Sequence, residues 1–399
     1  MTEGGVGIIG AGIIGLAVAR RLLEVAPGTP VVVVDKEPSV GAHQTGHNSG
    51  VVHAGLYYAP GSLKAQLCGS GRTQMRAYCE ERGLRYVECG KLVIARGDGE
   101  IGRLREIERR ARLNGVPGLS WVSAAGIAAI EPHATGVAAL HSPHTAIVDF
   151  AGVARSFADD VRRAGGSVEL SRPVTAIERR GERVALRAGG DEWTFDHLVV
   201  CAGLQSDRVA RLAGDSVDPV IVPFRGEYFR LVPSRTDLVR GLIYPVPDPA
   251  YPFLGVHFTR RVDGGVDIGP NAVLALAREG YRRWQVHAAD VWSIVGSRGF
   301  RRLARRHWRT GAREMLGSVS TRAFLRSARS FVPELSTADV ERAPAGVRAQ
   351  AVQPDGSLLD DFCIGRVGPV VTVRNAPSPA ATSSMAIADR IVAEWLEVR

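Results

Sequence analysis

A chain of 399 residues, 45% hydrophobic and 23% charged, has ordinary globular composition and enough length for about two or three domains around a sizeable core. Its 50 Lys and Arg against 41 Asp and Glu give a net charge of +9, a balance open to an acidic substrate, an anionic membrane surface or nucleic acid. Five scattered cysteines (Cys68, Cys79, Cys89, Cys201 and Cys363) without a CxxC pair argue against a disulfide framework and a structural zinc site. No signal-like segment precedes the first strand and no apolar run reaches about 18 residues, so a cytoplasmic, metal-free protein without a membrane span is expected.

The chain begins "VGIIGAGIIGLAVARRLLEVAPGTPVVVVDKE". Val6 to Ile9 reads as a fully apolar strand of a parallel sheet, a helix is predicted from about Ile13 to Val25, and a second apolar strand, Val31 to Val34, ends at Asp35. Gly10, Gly12 and Gly15 spell G-x-G-x-x-G at the turn between strand and helix. The first permits the tight turn, the second lets the backbone approach a pyrophosphate, and the third allows close helix–strand packing. The helix start at Ile13 and Ile14 offers free N–H groups to phosphate. Asp35, with Lys36 after it, stands 20 residues beyond Gly15, where a carboxylate accepts ribose hydroxyls. An aspartate here disfavours a 2′-phosphate, and the motif alone does not separate NAD from FAD.

Next comes "TGHNSGVVHAGLYY", Thr45 to Tyr58, in which small residues, hydrogen-bonding groups and two histidines crowd close behind the nucleotide unit. Further on, a helix is predicted from about Phe150 to Ala164 and a strand at Ser167 to Leu170, then a meander of short strands ending at Leu198 to Cys201. The small-residue turn Ala202-Gly203 after it is a second place where a strand end could meet a nucleotide. "PVIVPFRGEYFRLVP" reads as a strand carrying Arg225 and Tyr228, and "YPFLGVHFTRRVDGGVDIGPNAVLA" as a hairpin carrying His257. From about Tyr281 to Val332 the pattern is helical and arginine-rich: a solvated basic face is one reading and a membrane surface another. No nucleic-acid-reading motif accompanies the charge. The tail gives a strand, Val370 to Arg374, a turn of Pro, Ser and Ala, and a helix from near Thr382. First and last segments both look built for a ligand, which suggests one discontinuous nucleotide domain with a substrate domain inserted.

The segments "GIIGAGIIGLAVARRLL", "TGHNSGVVHAGLYYAPGSLKAQLC", "PFRGEYF", "PFLGVHFTRRVDGGVDIGPNAVLA", "GVRAQAV" and "NAPSPAATSSMAIAD" resemble, in order and along nearly the whole chain, the FAD-dependent L-2-hydroxyglutarate dehydrogenases and oxidases of the D-amino-acid-oxidase-like flavoprotein class. The amino-terminal motif is common to the class; the HNSGVVHAGLYY and NAPSPAAT segments are more specific. The resemblance implies an α/β fold: a discontinuous Rossmann-like FAD-binding domain (1–85, 145–215 and 335–399) with an inserted α+β substrate domain on a mainly antiparallel sheet (86–144 and 216–334, its basic helical part at about 281–332).

The same resemblance implies FAD as cofactor. Thr45, Asn48, Ser49, Gly50 and Val51 would line the ribityl chain and flavin edge, with His53 near the ring. Val174, Ala202 and Gly203 would flank the adenosine half. Asn375, Pro379, Ala380, Ala381 and Thr382 would meet the pyrimidine side, where the following helix dipole favours negative charge. The implied reaction oxidises the CH–OH group of a small 2-hydroxy acid, with L-2-hydroxyglutarate the leading candidate. An amine, an amino acid or another alcohol is the alternative substrate, and a non-catalytic flavin-binding protein the alternative class. A histidine suits the proton transfer because it titrates near neutrality, and His53 and His257 both remain candidates. Arg225 and Arg348 are the candidates for a substrate carboxylate, with Tyr228 and Gln350 as neutral partners. His47 reads equally as a cofactor-loop contact or a solvent-facing residue. The electron acceptor would be oxygen or a quinone, the latter with a peripheral membrane contact through the basic helices. Arg374 departs from the pattern, since an apolar or small residue is expected there.

Overall fold

The segment VGII at Val6–Ile9 and the four valines Val31–Val34 are buried at every position, as strands covered on both faces must be. A computed structural model describes residues 4–248 and 254–397 of the chain. Among these residues a six-stranded sheet runs in the order Cys363–Val367, Val370–Asn375, His197–Val200, Val6–Ile9, Val31–Val34 and Ser167–Glu169. Its pairings are parallel except for the hairpin at the Cys363 edge.

Helices cover one face of this sheet. Ile13–Val25 packs between Phe150–Arg163 and Ser384–Leu396, and their apolar side chains share one core with Ile8, Val31 and Val33. Phe150–Arg163 shows why such a helix forms where it does. Asp149 caps its start by accepting from the Ala151 N–H, Phe150, Val153, Ala154, Phe157, Ala158 and Val161 make one buried stripe, and Arg162 and Arg163 close the last turn. The antiparallel strands Val174–Arg180, Arg183–Ala188 and Asp191–Phe195 cover the opposite face through Ile177, Val184 and Leu186.

A second, nine-stranded and mainly antiparallel sheet carries Val220–Leu231, Leu242–Pro245, His257–Arg260, Val266–Gly269 and Lys91–Ala95. The helix Thr321–Arg329 packs on it through Phe324, Leu325 and Ala328. Val340–Val352 belongs to this sheet as well: it pairs antiparallel with Val220–Leu231 from Val220↔Val352 to Leu231↔Val340, with one bulge near Gly226. The expected division at 335 placed this strand in the cofactor part. Pro344 inside the segment disguises it as a loop, and the bulge is what lets a sheet absorb that proline. The expected helical segment starts late, because Trp284 has φ +64° and the first helix there is Ala288–Gly296.

The two sheets are tied by a fully buried ion pair. Arg278, which follows the nine-stranded sheet's edge strand, reaches Asp207 at the start of Ser206–Leu212 with both terminal guanidinium nitrogens, one at 2.9 Å. Asp207 also accepts from the Ile221 N–H at 3.1 Å. Truncating one partner of such a pair leaves the other charge stranded. Asp207→Ala is therefore expected to lower unfolding stability by about 3–5 kcal/mol, measured by urea denaturation.

Candidate active site

Three glycines shape the amino-terminal end of the site for different reasons. Gly10 has φ +109°, and a Cβ there would lie 2.3 Å from the Cys201 carbonyl oxygen. A Cβ at Gly15 would lie 2.0 Å from the Gly10 carbonyl oxygen, so Gly15 serves packing and does not line the cavity. Gly12 is different: its backbone is ordinary extended chain (φ −80°, ψ 176°), and a Cβ would meet only the Thr45 hydroxyl at 3.4 Å. Nothing in the protein itself demands glycine at 12, whereas a phosphate drawn close to that backbone would. Asp35 accepts from the Ala11 N–H at 2.6 Å and the Glu37 N–H at 2.9 Å, fixing the carboxylate beside the glycine turn. Thr45 reaches across to accept from the Ile13 N–H at the helix start, at 3.0 Å, so this N–H, expected to be free for phosphate, is satisfied within the protein.

From this turn a cavity of about 570 Å³, within the range of small-molecule and cofactor sites, runs to the face of the second sheet. Gly10, Gly12, Ile13, Ile14, Asp35 and Lys36 line one end, and Val174, Ala202 and Gly203 lie alongside. Thr45, His47, Asn48, Ser49 and Val51 form the middle, facing the tail residues Asn375, Pro379, Ala380, Ala381 and Thr382. His53, Tyr228 and Arg348 line the far end. The tail turn and the histidine loop are joined directly, since Thr382 accepts from the His53 N–H at 3.1 Å. Asn48 spends its side chain on the loop, donating to the Gln44 and Thr45 carbonyls and accepting from the Gly50 N–H. Gly50 is off the cavity wall, held by φ +73° with no room for a Cβ beside the Val148 carbonyl. Cavity, glycine cradle, helix start and ribose-side carboxylate together suit a dinucleotide.

The two candidate arginines separate. Arg348 lies opposite Phe224 on the paired strand, so it shares a face with Tyr228, and both line the cavity. Arg225, one residue out of step with Phe224, points to the other face. It donates to Glu227 at 3.1 Å and to the Arg282 carbonyl at 3.2 Å and does not line the cavity, so its expected role at the substrate is corrected to a structural one. The histidines separate too. His53 lines the cavity, its Nε2 lying 3.2 Å from the Ser378 hydroxyl. His257 is 3% exposed and off the cavity wall. Its Nδ1 lies 2.9 Å from the Gly255 carbonyl, and its ring packs 4.0 Å from that of Tyr244. Burial depresses both, His257 to about 3 and His53 well below the usual range, with neighbouring cations adding to the effect. Burial thus favours the neutral form of both rings.

Arg374 resolves without a ligand: 3% exposed, it pairs with Asp215 at 3.1 Å and donates to the Pro219 carbonyl. His47 packs on the Tyr281 ring at 4.2 Å. Gln350 donates to the Ala351 carbonyl away from the cavity wall. Glu37, His43 and Glu279 are close enough to share a cation, but the Lys36 ammonium already bonds both carboxylates. Sequence reasoning missed several groups that line this cavity, among them His43 and Ser378. It also passed over the buried Lys91, which left one signal, a lone charge opening the apolar run KLVIA.

Comparison with known proteins agrees with this geometry. The family model described as FAD dependent oxidoreductase matches residues 6–395. The human protein named L-2-hydroxyglutarate dehydrogenase, mitochondrial, is 45% identical over 404 residues, covering 97% of this chain and 87% of the human one. The L-2-hydroxyglutarate dehydrogenase of Escherichia coli K12 is 43% identical over 388 residues, covering 97% and 92%. Among solved structures, the FAD-bound L-alpha-glycerophosphate oxidase of Mycoplasma pneumoniae superposes with a TM-score of 0.79 at 20% identity, covering 98% of this chain and 94% of that one. Glycine oxidase of Geobacillus kaustophilus gives 0.75 at 18% identity, covering 100% and 96%. The chain belongs to the FAD dependent oxidoreductase family, and FAD is its cofactor. The word mitochondrial in several relatives' names means that family membership does not carry the expectation of a cytoplasmic location.

Because Gly12 tolerates a Cβ in the protein alone, Gly12→Ala is expected to leave the melting temperature of the FAD-free protein unchanged. FAD binding, followed by fluorescence titration, should weaken by more than about tenfold, a loss of about 1.4 kcal/mol.

Proposed function

We propose that the chain oxidises L-2-hydroxyglutarate to 2-oxoglutarate. Near-full-length identity to dehydrogenases named for that substrate supports the reading, and the observation that carries it within the molecule is the meeting of Arg348, Tyr228 and His53 at one end of the FAD cavity. Bound FAD supplies the hydride acceptor. Arg348 holds the substrate's C1 carboxylate, for which a guanidinium offers paired donors. Tyr228, whose hydroxyl burial keeps protonated, donates a neutral hydrogen bond beside it. His53, neutral and at the cavity wall, takes the hydroxyl proton as C2 loses its hydride. His257, packed on Tyr244 and off the cavity wall, does not exchange protons with substrate.

The electron acceptor is proposed to be a membrane quinone. No described helix is long and apolar enough to cross a membrane. Trp292 and Trp308, 77% and 63% exposed, stand on the helices Ala288–Gly296 and Arg298–Val319, and the second of these is studded with arginines. Exposed tryptophan beside arginine suits the interface of an anionic bilayer. Wild-type protein is expected to co-sediment with vesicles containing anionic lipid and not with neutral ones, and Trp292→Ala/Trp308→Ala to lose most of that binding.

His53→Asn is expected to keep FAD and lower kcat for 2-oxoglutarate formation by about 10²–10⁴-fold, the range of a lost general base. Product assays should find no ammonia. His257→Asn is expected to cost far less, and a larger loss there than at His53 would reverse the assignment.

A further inference from the structure

Lys91 opens the central strand Lys91–Ala95 of the nine-stranded sheet and is 1% exposed. Its ammonium has no hydrogen-bond partner among the described residues. It rests instead on aromatic faces, 4.0 Å from the centre of the Tyr244 ring and 5.6 Å from that of Tyr57. The Tyr57 hydroxyl is likewise buried and without a partner. Burial pulls the Lys91 ammonium down to about 8. The buried Lys64, by contrast, has its carboxylate in place, Asp360 at 2.6 Å.

An unpaired ammonium in a dry interior is costly, and an apolar residue of the same length would pack there with less penalty. An orphaned ammonium and, on a ring 5.6 Å from it, an orphaned phenol are both donors that a carboxylate can accept from. Neither side chain lines the cavity itself. Lys91 rests on the Tyr244 ring, which packs on that of His257, and Lys91 and Arg348, on the strands Lys91–Ala95 and Val340–Val352, both help to depress the titration of His53 and His257.

We propose that Lys91, with Tyr57 beside it, is the subsite for the second, distal carboxylate of the substrate, and so the determinant that selects a dicarboxylic 2-hydroxy acid over a monocarboxylic one. This rests on the reading that Arg348 takes the C1 carboxylate of L-2-hydroxyglutarate. A site with one cation at each end measures chain length as well as charge, and a monocarboxylate would leave the Lys91 ammonium still unpaired.

The test uses the FAD-loaded enzyme and two unreactive probes, glutarate and butyrate, with binding read from the perturbed flavin absorbance. Wild type should bind glutarate about 100-fold more tightly than butyrate. Lys91→Met should abolish that preference while leaving butyrate affinity unchanged, and Lys91→Arg should restore part of it. In turnover, Lys91→Met should raise KM for L-2-hydroxyglutarate far more than it lowers kcat, and far more than it raises KM for L-2-hydroxybutyrate. A melting temperature at or above wild type would show that the Met variant is folded. Equal weakening of both probes in Lys91→Met, no weakening of either, or no preference in wild type would overturn the proposal. If wild type prefers glutarate but does not oxidise L-2-hydroxyglutarate, the Lys91 subsite stands and the substrate reading falls.

Discussion

The His53 N–H donates to the hydroxyl of Thr382, 329 residues further along the chain. Around that bond the histidine loop and the tail turn close on one another, and the cavity for FAD exists only because they do. The loop's position follows from the first glycine turn, to which Thr45 anchors it through the Ile13 N–H. The tail's position follows from the strand Val370–Asn375, which pairs beside His197–Val200 in the parallel sheet. A chain that brings its two ends to one ligand makes folding and cofactor binding interdependent: anything that binds the native state alone stabilises it.

The second sheet contributes the chemistry of the substrate. Strand alternation decides which of its side chains can take part, because a one-residue step moves a group to the opposite face. Tyr228 and Arg348 line the cavity, whereas Arg225 is sent to Glu227. The interior charges divide in the same way. Arg278 with Asp207, and Arg374 with Asp215, are neutralised within the protein. Lys91 has no such partner among the described residues, and an unneutralised interior charge asks for a partner from outside.

Local features were legible in the sequence and tertiary ones were not. The unit Val6 to Val34 could be read almost to the residue, because strand, turn and helix are dictated by neighbours within a few positions. The helix Phe150–Arg163 was equally plain, its stripe and basic last turn lying within its own fourteen residues and its cap, Asp149, just before them. Arg225 and Arg348 sat in equally persuasive motifs, and only the register between two strands more than a hundred residues apart tells them apart. Val340–Val352 was hidden by Pro344, whose cost is absorbed by a bulge that no single segment announces. Arg374 looked anomalous because its partner, Asp215, comes from a distant loop.

Anaerobic titration of the FAD-loaded protein with L-2-hydroxyglutarate, and separately with the D enantiomer, tests the central claim most directly, with flavin absorbance as the readout. Stoichiometric bleaching by the L form alone is the expected result: it requires FAD in the cavity, a base and an anion site correctly placed around one face of C2, and the assigned reaction. A flavin spectrum that neither enantiomer bleaches, or that both bleach equally, would contradict the assignment of Arg348 and His53 to that substrate.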